Sequence, residues 1–240
     1  MNELLSLLNA SRKTTVFTGA GVSTLSGIRD FRGSNGVYRT LWKGRQVEEI
    51  LSIECFLRHP ELFYEWAQDF VYRADEFKPS AVHLTLAEWE KQNLIDSVYT
   101  QNIDNLHQRA GSRKVYEIHG GANRHHCLSC RSAFSYDEIY PVVMQNKVPR
   151  CSCGGVIKPD IVFYGESLDE ELMQKAFADF TSSDLVLVLG SSLTVYPAAE
   201  LPLSAARSGV KIVVCNANPT QIDCYAALKY DDLAGLFARN

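Results

Sequence analysis

Short apolar runs recur along the chain, at Thr15–Thr18, Ser97–Thr100, Val115–Ile118, Ile161–Phe163, Asp184–Leu189 and Lys211–Cys215. Most are rich in Val and Ile, the pattern of strands buried on both faces. Helical periodicity separates them, most clearly over Leu84–Gln92, Leu172–Phe180 and Ala198–Arg207. Such alternation predicts an α/β chain with a doubly wound, Rossmann-like parallel sheet. Leu4, Leu5, Leu7 and Leu8 fit one face of a short N-terminal helix. Two stretches break the rhythm. Residues 34–78 are helical and aromatic, and residues 121–156 hold a cysteine cluster with little periodicity. Both read as insertions that form a smaller lobe, leaving residues 1–33, 79–120 and 157–240 as a discontinuous larger domain.

Composition narrows the function. At 46% hydrophobic and 22% charged residues over 240 positions, the chain is an ordinary globular protein. A net charge of −4 argues against a nucleic-acid partner. The N-terminus lacks the basic and apolar regions of a signal peptide, and Leu185–Leu189 is too short to span a membrane. The expected location is the cytosol, with no membrane partner. Oligomeric state is open, and a monomer is compatible.

The candidate chemistry starts at Gly19-Ala20-Gly21, where a strand runs into a glycine turn that lets backbone approach a pyrophosphate. The dehydrogenase fingerprint is incomplete, because Thr24 stands where a third glycine belongs and no second strand carries the acidic partner. Residues 26–33 (SGIRDFRG) then place an acid, an aromatic and two arginines in one glycine-bounded loop. Thr100–Asp104 (TQNID) follows a strand, as do His119-Gly120, Gly190–Leu193 (GSSL) and Asn216. These are carboxyl ends of strands, where doubly wound folds bind ligands.

With residues 159–166 (PDIVFYGE), these segments resemble, in order, the motifs of the sirtuin family over about residues 4 to 238. Arg29 replaces the family's usual proline. The resemblance implies an NAD-dependent protein-lysine deacetylase of the small bacterial type, acting on acetylated proteins or peptides. It implies NAD contacts at Gly19, Ala20, Gly21, Thr24, Asp30, Phe31, Arg32, Gln101, Asn102, Ile103, Asp104, His119, Gly190, Ser191, Ser192 and Asn216. It also places a contact near the adenine around Asp231–Leu233. His119, Asn102 and Asp104 take the catalytic roles, and Val162 and Phe163 the substrate strand. The implied reaction begins with attack of the acyl-lysine carbonyl oxygen on ribose C1′ and loss of nicotinamide. His119 then takes a proton from a ribose hydroxyl, whose oxygen attacks the former amide carbon, and water later releases deacylated lysine and O-acyl-ADP-ribose. Mono-ADP-ribosyl transfer would use the same NAD site.

Cys127, Cys130, Cys151 and Cys153 have the donor set of a closed, structural zinc site, one per chain. The second pair is C-x-C where the family usually has C-x-x-C, and His125 and His126 are alternative ligands. Cys55, Cys215 and Cys224 read as small buried hydrophobes, and His59, His83 and His107 as structural. Sirtuins that favour acidic acyl groups carry Tyr-x-x-Arg in the helical insert. Here Tyr64 is followed by Ala67 in the arginine position, which predicts acetyl over succinyl.

Overall fold

The computed structural model describes residues 1–31, 33, 36–73 and 76–238. The chain starts with α1 (Asn2–Ala10), β1 (Thr14–Thr18) and the one-turn α2 (Gly21–Thr24). A helical stretch follows, α3 (Val47–Ile50), α4 (Ile53–Arg58), α5 (Pro60–Phe70) and α6 (Ala81–Lys91). Next come β2 (Ser97–Thr100), α7 (Leu106–Ala110), β3 (Val115–Glu117), β4 (Gly120–Cys127), β5 (Ala133–Ser135), α8 (Tyr136–Val143) and β6 (Ile157–Ile161). The remainder is α9 (Glu170–Thr181), β7 (Leu185–Leu189), α10 (Glu200–Arg207), β8 (Lys211–Cys215), β9 (Ala226–Tyr230) and α11 (Leu233–Leu236).

Six strands form one parallel sheet in the order β3-β2-β1-β7-β8-β9. Every pairing in it is parallel, so both faces need cover. Alternate side chains supply two cores. Phe17, Val186, Val188 and Val214 point to α9 and α10, where Phe180 meets Phe17 edge-on at 5.9 Å. Val16, Leu185, Leu187 and Val213 face α1 and α6 through Leu4, Leu8, Val82 and Leu86. Two helices start where side chains satisfy free backbone donors. Asp169 accepts from the Leu172 N–H at 2.9 Å, and Ser135 and Glu138 form a capping box on α8.

The expected parallel strand at Ile161–Phe163 is not in this sheet. The strand there is β6, which ends at Ile161 and pairs antiparallel with β4 in a separate sheet of order β5-β4-β6. An apolar run fixes burial but not the neighbouring strand, so its pattern alone could not place it. A third core joins this sheet to the helical stretch through Phe56, Phe63, Tyr64, Trp66, Tyr72, Ile157 and Phe163. Cys215 is buried as expected, but Cys55 is half-buried and Cys224 is exposed on a short turn before β9. Among the described residues, no helix is long and apolar enough to cross a membrane.

His83 and His107 meet at 4.5 Å between α6 and α7. His83 Nδ1 bonds Ser80, whose hydroxyl donates to the Val22 carbonyl, and His107 Nε2 bonds the Thr18 hydroxyl. Burial pushes His83 down to about 4 and His107 well below its ordinary value. Both are therefore held neutral. A depressed histidine takes its proton more readily in the unfolded chain, so the stabilisation is complete above about pH 6.5 and is lost as pH falls towards 4. Each pH unit in that window costs at most about 1.4 kcal/mol per group. Thermal melts at pH 7 and pH 4.5 should show a smaller drop for His83→Gln, which keeps the capping contact, than for the wild type.

Candidate active site

The sheet order reverses beside β1, since β2 and β3 lie on one side and β7 to β9 on the other. That reversal opens a crevice at the carboxyl ends of β1 and β7. There the two loops touch through backbone. The Gly19 N–H donates to the Leu189 carbonyl at 3.1 Å, and the Gly21 N–H to the Gly190 carbonyl at 2.8 Å. A Cβ on Gly21 would lie 2.6 Å from the Gly190 Cα, and Gly190 itself has φ +61. Side chains at either position would force the loops apart.

A cleft of about 940 Å³ lies over this contact. Gly19, Ala20, Gly21 and Thr24 line it from β1, with Asp30 and Phe31 from the following loop. Gln101, Asn102 and Ile103 arrive from the end of β2, and His119 from the loop joining β3 to β4. Gly190, Ser191, Ser192 and Asn216 enter from β7 and β8, and Val162 and Phe163 from the end of β6. The segment Asp231–Leu233 also borders the cleft. Arg32 lies outside the described residues.

Hydrogen bonds lock these pieces together. Gln101 Nε2 donates to Ser191 Oγ at 2.7 Å, bridging β2 to β7. Asn102 Nδ2 donates to the Gly19 carbonyl and to Ser23 Oγ, each at 3.0 Å, and Asn102 is 7% exposed. Asp104 does not line the cleft. Its carboxylate turns inward, accepting from Ser23 Oγ at 2.6 Å and from the Leu106 N–H at 3.0 Å. Burial raises its pKa, and those two bonds oppose the rise. Ser23 thus joins Asn102 to Asp104, a link that no motif in the chain signals.

His119 is half-buried at the cleft wall. Its Nδ1 lies 3.1 Å from the Gln101 carbonyl, which can only accept, so Nδ1 carries the hydrogen. In the neutral ring, Nε2 then holds the lone pair and is the basic atom. Gly120 follows at φ +70, where a Cβ would fall 1.8 Å from the Asp160 carbonyl. Only glycine lets β4 and β6 close directly behind the imidazole. An apolar branch of the cleft, with Tyr38, Leu51, Trp66 and Val71, went unpredicted. These side chains lie in the aromatic insert, whose periodicity reports burial and not which face meets a ligand.

The four cysteine sulfurs lie within 4.8 Å of one another, and the pairs Cys127–Cys153 and Cys130–Cys151 are each 3.5 Å apart. Tetrahedral zinc–thiolate bonds of about 2.3 Å require sulfur separations near 3.8 Å, so the set fits that ion. The short second pair is accommodated by a turn, with the Cys151 N–H on the Gly155 carbonyl and the Gly154 N–H on the Cys151 carbonyl, both at 2.8 Å. His125 Nε2 bonds Tyr72 Oη and His126 bonds Asp160, and neither histidine belongs to the cluster of four sulfurs.

The fold and cleft define a doubly wound nucleotide-binding protein with a cysteine-bound metal module. Residues 19–197 match the Sir2 family, and the chain belongs to that family. It is 44% identical over 240 residues to an NAD-dependent protein deacetylase of Thermotoga maritima, covering 100% of this chain and 96% of the relative. An NAD-dependent protein deacylase 2 of Archaeoglobus fulgidus is 39% identical, covering 95% of this chain and 89% of that one. Among solved structures, one of Sir2 with a p53 peptide and NAD+ superposes with TM-score 0.90 at 43% identity, covering 100% of this chain and 95% of the other. One bound to a propionylated peptide gives 0.89 at 41%, covering 99% and 95%.

Zinc in the cysteine cluster should appear as close to one equivalent per chain by elemental analysis. Cys127→Ser should lose the metal and lower the melting temperature. Cys224→Ser, outside the cluster, should change neither.

Proposed function

We propose that this chain is an NAD-dependent protein-lysine deacetylase that releases nicotinamide, deacylated lysine and O-acyl-ADP-ribose. The convergence of the glycine turn, the Gln101–Ile103 segment and His119 on one cleft carries the reading. The cleft fits the co-substrate: its floor is backbone that a Cβ would displace, and its volume lies in the range of small-ligand sites. NAD supplies an electrophilic ribose carbon with nicotinamide as leaving group.

The chain's own groups do the rest. Gly19 to Gly21 and Ser191 border the space for a dinucleotide. Asn102 holds the floor of the inner end rigid through Gly19 and Ser23. Asp104 acts through Ser23 and not by direct contact. His119 Nε2 accepts a proton from a ribose hydroxyl, while the Gln101 carbonyl fixes its tautomer. Phe31 and the apolar branch exclude water from the reacting carbon. Val162 and Phe163 receive the acyl-lysine peptide as an added strand. The working division is a larger domain of residues 1–33, 79–120 and 157–240 with a small lobe of 34–78 and 121–156, although β6 pairs within the small sheet.

Mass spectrometry of an acetyl-lysine peptide incubated with NAD should show the deacetylated peptide together with free O-acetyl-ADP-ribose. His119→Ala should lower the rate at least about 100-fold with the melting temperature little changed. ADP-ribose appearing on protein in place of the free ester would sink the reading.

Acyl preference follows from the insert. Tyr64 is buried, with its hydroxyl on the Ile157 carbonyl, and Ala67 is buried and apolar. Neither offers a cation to a second carboxylate, and leaving a charge unpaired in a dry site costs several kcal/mol. On matched peptides, kcat/KM for succinyl-lysine should be at least about tenfold below that for acetyl-lysine. Equal values would contradict this account.

A further inference from the structure

Lys158 lies on β6 with only 3% of its side chain exposed. Its ammonium donates to the Ile161 carbonyl at 2.7 Å and to the Pro159 carbonyl at 3.2 Å, and it meets Glu166 Oε2 at 2.9 Å. An ammonium has three donors, and three acceptors surround this one. The Phe163 ring centroid lies 4.1 Å away and gives the cation a further favourable contact.

Glu166 is held in turn. The oxygen that meets Lys158 also accepts the Phe163 N–H at 2.8 Å. The neighbouring amides are engaged as well: Val162 donates to the His119 carbonyl and Tyr164 to the Leu51 carbonyl, each at 2.9 Å. Three successive N–H groups therefore set the path of the segment that lines the cleft beside His119. The middle one depends on a carboxylate whose side chain is 28% exposed and would turn to water without its cation. A buried ion pair of this kind contributes more to a defined arrangement than to stability.

We propose that Lys158, acting through Glu166, is a positioning residue that holds Val162 and Phe163 in the path needed to receive the acyl-lysine peptide. The inference rests on the deacylase reading for its substrate and on geometry alone for the clamp.

The test uses the full chain with Lys158→Met, Lys158→Arg and the double variant Lys158→Met/Glu166→Leu. In Lys158→Met, the peptide KM should rise at least about tenfold, while the KM for NAD stays within about twofold. Lys158→Arg, which keeps the cation, should restore most of the peptide KM. The double variant removes both charges. It should recover the melting temperature lost in the single variant yet keep the raised peptide KM, and it serves alone if Lys158→Met does not fold. Hydrogen exchange reads the clamp without catalysis, and the Phe163 amide should exchange faster in both Met-containing variants. A wild-type exchange rate at Phe163 overturns the clamp. Faster exchange with an unchanged peptide KM, or peptide and NAD KM values rising together, overturns its substrate role. A wild type that exchanges as expected but deacetylates nothing sinks the deacylase reading and leaves the clamp standing.

Discussion

The closest physical constraint in the molecule is the backbone contact between the turn after β1 and the turn after β7. Gly21 and Gly190 touch without side chains, and two N–H···O bonds tie the loops at 3.1 and 2.8 Å. The contact can form only where adjacent parallel strands end level, and the register of β1 on β7, with Thr18 opposite Leu189, provides that. Three polar groups of the cleft are referred to it. Asn102 reaches the Gly19 carbonyl, Gln101 reaches Ser191, and His119 leans on the Gln101 carbonyl. Moving one turn would displace each of these groups in sequence.

The other wall is made differently. The small sheet has few apolar residues of its own near β5, and its far end is held by the four-sulfur cluster. Its near end runs into the cleft, where β4 begins just after His119 and β6 ends just before Val162. His119 and Val162 thus flank adjacent strands of one small sheet, which pair at Gly120 and Ile161. The cysteine cluster and the cleft lie at opposite ends of the same strands, so an ion held by the sulfurs can influence the cleft without approaching it.

The parallel strands were legible because both faces are covered, which writes them as unbroken apolar runs such as Leu185–Leu189. The glycine turn, the TQNID segment and His119 were legible as motifs at strand ends. Three things were not. The edge strand β9 alternates half-buried and exposed positions and includes Lys229, so it lacks the buried apolar run. The pairing of β6 depends on long-range contacts that a local pattern does not encode. The inward turn of Asp104 and the burial of Lys158 were not legible either, because sequence records a charge but not the carbonyls, hydroxyls and opposite charges that make its burial tolerable.

The distribution of imidazoles explains why, of six histidines, His119 is the one suited to the proposed role of base. His83, His107 and His125 are buried, and desolvation opposes a charge on each. A ring that resists protonation cannot accept a proton readily during a reaction, and none of the three borders the cleft. His126 is paired with Asp160, and His59 sits on the surface beside Glu61. His119 differs in both respects that matter. It borders the cleft and is only half-buried, so the imidazolium formed on proton uptake keeps some solvation. Its Nδ1 donates to a backbone carbonyl, which fixes the tautomer and leaves Nε2 free to accept a proton. The fold thus holds the buried histidines neutral and leaves His119 on the cleft that the glycine turn borders.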